Sequence, residues 1–209
     1  MMARMKQVVS ITAALFLASF LSVGVAIPAE GSEYEVTVYN LTRGTLFTPL
    51  IIVSHKKGVK LFTLGEPASS ELEDVAEMGD TSGLQTLLGG NPKVNDITTT
   101  GPIPPGGSVT GTVDAKHGFN RLSLASMLLP TNDGFLALNG ARAPSFFQKS
   151  VTYFSPGYDA GTEVNDEKCE SIPGGGPCDG GTAGDDEGFV GGELGLAGGP
   201  GAGDAAGGE

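Results

Sequence analysis

Residues 127–140 read MLLPTNDGFLALNG. An apolar run ends at Leu129, another begins at Phe135, and between them stand Pro130-Thr131-Asn132-Asp133-Gly134. Pro, Asn, Asp and Gly are the residue types that reverse a chain. The stretch therefore reads as a strand over Arg121–Leu129, a tight turn, and a second strand over Phe135–Leu138. A hairpin cannot stand alone, so the rest of the chain must supply further strands.

Working outward, it does. Glu33–Tyr39 (EYEVTVY) alternates, with Tyr34, Val36 and Val38 on one face, the period of a half-buried strand. Leu46–Val53 is apolar but carries Pro49, which predicts an edge or a bulge. Val94–Thr100, Ser108–Val113 and Ser150–Phe154 complete the expected strands, with Pro104-Pro105-Gly106-Gly107 as a break. One helix stands out. Ser70-Glu71-Leu72-Glu73 matches a capping box, Leu72, Val75 and Ala76 share a face, and Gly79 is the stop. A second short turn is expected over Leu84–Leu88. Many short strands around one helical insertion predict an all-β fold, an antiparallel sandwich.

The two ends differ from this middle. Arg4 and Lys6 precede an uncharged apolar run from Val8 to Ala26, and Gly24-Val25-Ala26 places small residues before a cleavage point. Residues 1–26 read as a secretory signal peptide, with an uncleaved anchor as the alternative. No second long apolar run follows, so no transmembrane segment is expected after cleavage. Residues 171–209 contain 16 glycines and no Lys or Arg. Such a segment buries too little apolar surface to offset its chain entropy, which predicts a disordered Gly- and acid-rich tail with local order around Gly188-Phe189-Val190. The sandwich domain is then residues 27–170.

The whole chain has a formal net charge of −12; without Arg4 and Lys6 it is −14. An acidic surface repels nucleic acid and anionic lipid, and suits a cation partner or simple solubility. Cys169 and Cys178 are the two cysteines; in an exported chain a close pair reads as a disulfide. His55 and His117 lie in no nucleophile motif and read as exposed loop residues, and no phosphate loop or zinc-protease motif occurs. Asn40-Leu41-Thr42 is a glycosylation triplet, a pattern common by chance.

Carboxylates remain. Asp133 lies in the hairpin turn, and Asp159 and Glu163 lie in a second acidic turn, separated by Ala160-Gly161-Thr162. Loops at one end of a sandwich can share a site, and a hard cation takes about six to eight oxygens. On spacing alone, plain turns are the favoured reading, because Asp and Gly are ordinary turn residues.

The chain resembles the spondin N-terminal domain family from about Tyr34 to Glu167. The resemblance rests on Tyr34–Asn40, on Pro67-Ala68-Ser69 with Leu72, Ala76 and Glu77, and on Leu122–Met127. Its most specific parts are Pro130–Phe135 and Tyr158-Asp159-Ala160-Gly161-Thr162-Glu163. It implies a C2-like β-sandwich in which a Pro-x-x-Asp-x-Phe turn and an Asp-Ala-Gly-Thr-Asp loop hold calcium (Ca2+). Carried over, Asp133, Asp159 and Glu163 are the implied metal ligands, with Glu163 one methylene longer than the family's Asp. Gly134 stands where animal members have an aromatic ring, which weakens any adhesive surface built on that ring. Relatives usually close the sandwich with a further strand; here the sequence turns to glycine and acid past Phe189-Val190, so that strand is expected to be missing and a sheet edge left unpaired.

The resemblance thus implies a secreted, calcium-binding, non-catalytic module in the extracellular space, periplasm or cell envelope, with an extracellular or envelope ligand or adhesion partner of unknown identity. An exported metal-dependent hydrolase using the same carboxylates is the alternative; it needs a general base or nucleophile near the ion, and the sequence offers no convincing one.

Overall fold

The structure, a computed structural model, describes residues 32–145, 149–163 and 188–192. The strands are β1 (Ser32–Tyr39), β2 (Leu46–Phe47), β3 (Ile51–His55), β4 (Val94–Thr99), β5 (Ser108–Ala115), β6 (Arg121–Leu129), β7 (Gly134–Arg142), β8 (Gly157–Asp159) and β9 (Gly191–Gly192). The helices are α1 (Ser70–Met78) and α2 (Ser82–Gly89). The expected hairpin is β6 and β7, paired Met127↔Phe135, Ser126↔Leu136 and Ala125↔Ala137. Thr131 ties its turn: the hydroxyl donates to Leu128 O (2.5 Å) and accepts from Gly134 N (3.0 Å).

This hairpin is the centre of an antiparallel sheet ordered β4-β3-β6-β7-β8-β9, with β2 added to the end of β6. Pro49 breaks the expected strand over Leu46–Val53 in two, between β2 and β3, and β3 is not an edge but lies between β4 and β6. The break is sealed by Thr48 and Ser126: Thr48 N donates to Met127 O (3.1 Å), Met127 N to Thr48 Oγ1 (3.1 Å), and Ser126 Oγ to Thr48 O (2.8 Å). Both backbone groups of the buried Thr48, the residue before Pro49, thus find partners.

The second sheet is the pair β1 and β5. Its inner face, Tyr34, Val36, Val38, Val109 and Val113, packs on Ile52, Leu122, Leu124, Leu128 and Leu136 of the large sheet. Gly111, opposite Val36, leaves room for this approach; a Cβ there would lie 2.9 Å from Ile52 Cδ1. The large sheet's other face, Ile51, Val53, Ala125, Phe135 and Ala137, packs on Leu72, Val75, Ala76, Leu84 and Leu88 of the two helices. Cover on both faces is why β3 and β6 read as continuous apolar runs rather than alternating ones.

α1 begins one residue earlier than the capping box predicts. Ser69, not Ser70, is the N-cap; its φ of −78° and ψ of 156° are extended, and its Oγ accepts from Leu72 N (3.3 Å). Gly79 does end the helix, at φ 67°, with Gly79 N bonded to Val75 O and Asp80 N to Asp74 O, the paired bonds of a left-handed stop. Ser69→Ala is therefore expected to cost about 1 kcal/mol of stability and Ser70→Ala only a few tenths; urea unfolding giving the reverse order would return the cap to Ser70.

Three further expectations change. Residues 150–154 form no strand. Tyr153 Oη donates to Arg142 O (2.9 Å) and Ser155 Oγ to Ala137 O (2.6 Å), so side chains take β7 carbonyls that a strand's amides would have met, and Phe154 stands exposed. The ladder resumes only at β8, paired Gly134↔Asp159 and Phe135↔Tyr158. The expected absence of a closing strand is also corrected: Gly191 and Gly192 pair with Asp159 and Tyr158, and Val190 is buried in the helix-side core. The rest of the tail, the signal segment 1–26 and the Cys169–Cys178 pair lie outside the described residues.

His55 is not a loop residue but the fully buried end of β3. Its Nδ1 is 2.8 Å from Lys56 O and its Nε2 2.8 Å from Ser123 Oγ. A carbonyl only accepts, so Nδ1 carries the proton and Ser123 donates to Nε2. Ser123 Oγ in turn accepts from Gly140 N (2.8 Å), stitching the bulge where the β6–β7 register shifts. Burial, with the Arg121 charge adding to it, holds His55 below its ordinary range; the bond to Lys56 O works the other way. Ser123 is as buried as His55, so the pair has no route to a substrate. His117 is exposed, as expected. Asn40 is 1% exposed, and its Nδ2 donates to Thr45 O (2.7 Å) and Ile103 O (3.0 Å). Both amide protons of the glycosylation triplet are thus engaged in holding the β1 exit loop.

Candidate metal centre

The β7–β8 pairing builds the site. Gly134 lies opposite Asp159, which sets the hairpin turn carrying Asp133 beside the turn that follows β8. Ala160 N donates to Asp133 O (3.2 Å), joining the two turns through the main chain. The Asp133 side chain is fully buried, and its Oδ2 accepts from Thr162 N (2.8 Å), Glu163 N (3.0 Å) and Thr162 Oγ1 (3.3 Å). Asp159 Oδ1 accepts from Gly161 N (2.6 Å), which bends the chain at Ala160-Gly161. Gly161 sits at φ 70°, in the left-handed region.

The electrostatics single out Asp133. Burial pushes its carboxyl above the usual range and the Asp159 charge adds to that; the amides of Thr162 and Glu163 and the Thr162 hydroxyl offset part of it. Its second oxygen, Oδ1, is buried and has no hydrogen-bond partner. Such an oxygen costs roughly 1–3 kcal/mol or more where a charge is concerned.

The structure brings Asp133 and Asp159 together, and ties Glu163 to Asp133 through its backbone. Among the described residues, no group of three or more His, Cys, Asp or Glu side chains is gathered to hold a metal ion. The donors present are all oxygens, and one of them is buried without a hydrogen bond. That chemistry fits a hard, oxygen-preferring cation and not zinc.

Two participants were not among the expected ligands. Thr162 donates to Asp133 from both its amide and its hydroxyl. Glu77, in the last turn of α1, is raised first by burial, a hydrogen bond with the Thr162 side chain opposing, and further by the charges of Glu73, Asp133 and Asp74. The helix therefore faces the same loop. For Thr162 the signal was its place between Asp159 and Glu163; Glu77 stands 56 residues before Asp133, and no local spacing connects the two.

The fold is an antiparallel sandwich with two acidic turns gathered at one end. The family model Spondin_N matches residues 37–166, and the chain belongs to that family. Comparison with curated proteins gives no match. The spondin N-terminal domain is a non-enzymatic module of extracellular type. Among the described residues no helix is long and apolar enough to cross a membrane.

Proposed function

We propose that the protein is an exported, non-catalytic β-sandwich module that binds one calcium ion through Asp133, Asp159 and Glu163, and serves extracellular or envelope binding or adhesion. The observation that supports it most is Asp133 Oδ1, buried and without a hydrogen bond beside a second carboxylate. A cation there supplies charge neutralisation and a partner for that oxygen; backbone carbonyls and water complete its shell. Glu163 reaches the ion from the loop that its own amide already pins to Asp133.

Calorimetric titration of the purified protein is the test. Calcium should bind with a stoichiometry of about one and a dissociation constant on the order of 10⁻⁴ M, the range of extracellular modules. Magnesium should bind more weakly, since it requires a tighter octahedron and gives up water reluctantly. Asp133→Asn should abolish the calcium heat. Equal heats for wild type and Asp133→Asn would remove the proposal.

A further inference from the structure

Residues 188–192 lie in a slot shaped for extended peptide. One wall is the turn before α1, where Gly65 N donates to Val190 O (2.9 Å) and Glu66 O accepts from Val190 N (2.9 Å). The other wall is β8 and the turn beyond it. Gly161 O accepts from Gly188 N (2.7 Å), and Asp159 and Tyr158 pair with Gly191 and Gly192. The floor is apolar: Val190 is 1% exposed and joins the cluster containing Phe62, Phe135 and Ala160, while Phe189 is 50% exposed. Gly161 keeps its wall bare. A Cβ at that position would run into the Phe189 carbonyl, 2.7 Å from its carbon and 2.8 Å from the Phe189 nitrogen.

Both walls thus recognise main chain, and the floor recognises one aliphatic side chain. That is the chemistry of strand addition at a sheet edge, where main-chain bonds give affinity and a pocket gives selectivity. We propose that this slot is a peptide-binding site, filled in cis by Gly188–Gly192 and able to take the same sequence in trans. Its ligand is an extended peptide with a Val-sized residue at the anchor; the two positions after it are open to other residues, since a Cβ at Gly191 would meet only the Phe189 ring at 3.9 Å and one at Gly192 nothing within 4 Å. The covalent link back to Glu163 raises the effective concentration of the segment. One wall of the slot shares Asp159 and Gly161 with the carboxylate turn, so the test is run in chelator to keep it apart from cation binding.

A protease sequence inserted between 179 and 187 of the full-length chain, beyond the expected Cys169–Cys178 bridge, lets the link be cut with the slot intact. After cutting, the C-terminal fragment should co-elute with the domain in size exclusion. A labelled peptide spanning residues 186–194 should displace it, and the same peptide with Val190→Asp should compete worse by more than about tenfold, the fold-change of losing one buried aliphatic anchor. In the uncut protein, the Gly188 and Val190 amides should exchange more slowly than in the free peptide by about tenfold or more. Gly161→Ala should erase that protection while amides of β3 and β6 stay protected, which shows that the variant is folded. Exchange of Gly188 and Val190 at the free-peptide rate in the uncut wild type would overturn the proposal. So would a cut fragment that separates at once, or an Asp-bearing peptide that competes as well as the native one.

Discussion

His55→Ala is expected to lower stability by about 3 kcal/mol and the melting temperature by roughly 10 °C. The substitution empties a fully buried site and withdraws both hydrogen bonds of the ring. Lys56 O and the buried Ser123 hydroxyl each lose a partner, while Ser123 Oγ keeps its bond from Gly140 N. A pH effect accompanies it. His55 is held below its ordinary value of 6.5 by burial, so the unfolded chain takes up a proton near that pH that the folded chain refuses. Its stabilising contribution is therefore complete above about pH 6.5 and is lost as pH falls from there toward the lower folded value. Asp133 and Glu77, both raised, act in the opposite sense in acid, favouring the folded state as they protonate. The His55 part is thus read from the difference between wild type and variant. Urea unfolding of both at pH 7.5 and 5.5 is the measurement. The gap should narrow at the lower pH. A gap under about 1 kcal/mol at pH 7.5, or one that does not change with pH, would show that the ring is dispensable.

His55 also marks where the sequence was hard to read. Its neighbours Lys56 and Lys57 belong to an exposed turn, and in a linear reading they drew the histidine out with them. The strand runs two residues past the expected end at Val53, to His55, which turns in while Lys56 extends outward, its Nζ 4.7 Å from the Phe119 ring. β1 was legible for the opposite reason: one face meets the core and the other meets solvent, so its alternation carries the whole assignment. β3 and β6 were legible as strands, but their continuous apolarity did not say that helices cover the second face.

The carboxylate turns were legible as turns, and the family resemblance implied Asp133, Asp159 and Glu163 as ligands. Spacing could not show that Thr162 would bond Asp133 or that Glu77 would face the same loop, since the first depends on the β7–β8 register and the second on how α1 docks. The closing strand was hidden by composition. Of residues 188–192, Val190 is the only buried side chain, and the rest of the segment's contacts are made by backbone, which no propensity records.

Calcium is expected to raise the melting temperature of the wild-type protein by several degrees and to leave that of Asp159→Asn nearly unchanged. With a dissociation constant of about 10⁻⁴ M and about 1 mM calcium, binding to the folded state alone adds roughly 1.4 kcal/mol. In this size range that is a shift of roughly 3–6 °C. Asp159 is the informative position because its two roles separate. Its Oδ1 accepts from Gly161 N, a bond that an Asn oxygen also makes, so the turn is kept. Its charge, however, bears on Asp133 and raises that carboxyl. Removing the charge relieves this repulsion in the metal-free state and removes a calcium ligand in the bound state. The variant in chelator should therefore melt at the wild-type temperature or slightly above it, and the calcium increment should vanish. A lower melting point in chelator would mean that the Asp159 charge stabilises the metal-free turn rather than straining it. If the wild type melts at one temperature in calcium and in chelator, the two acidic turns serve only to reverse the chain, and the oxygen of Asp133 left without a hydrogen bond is a cost that the fold carries without return.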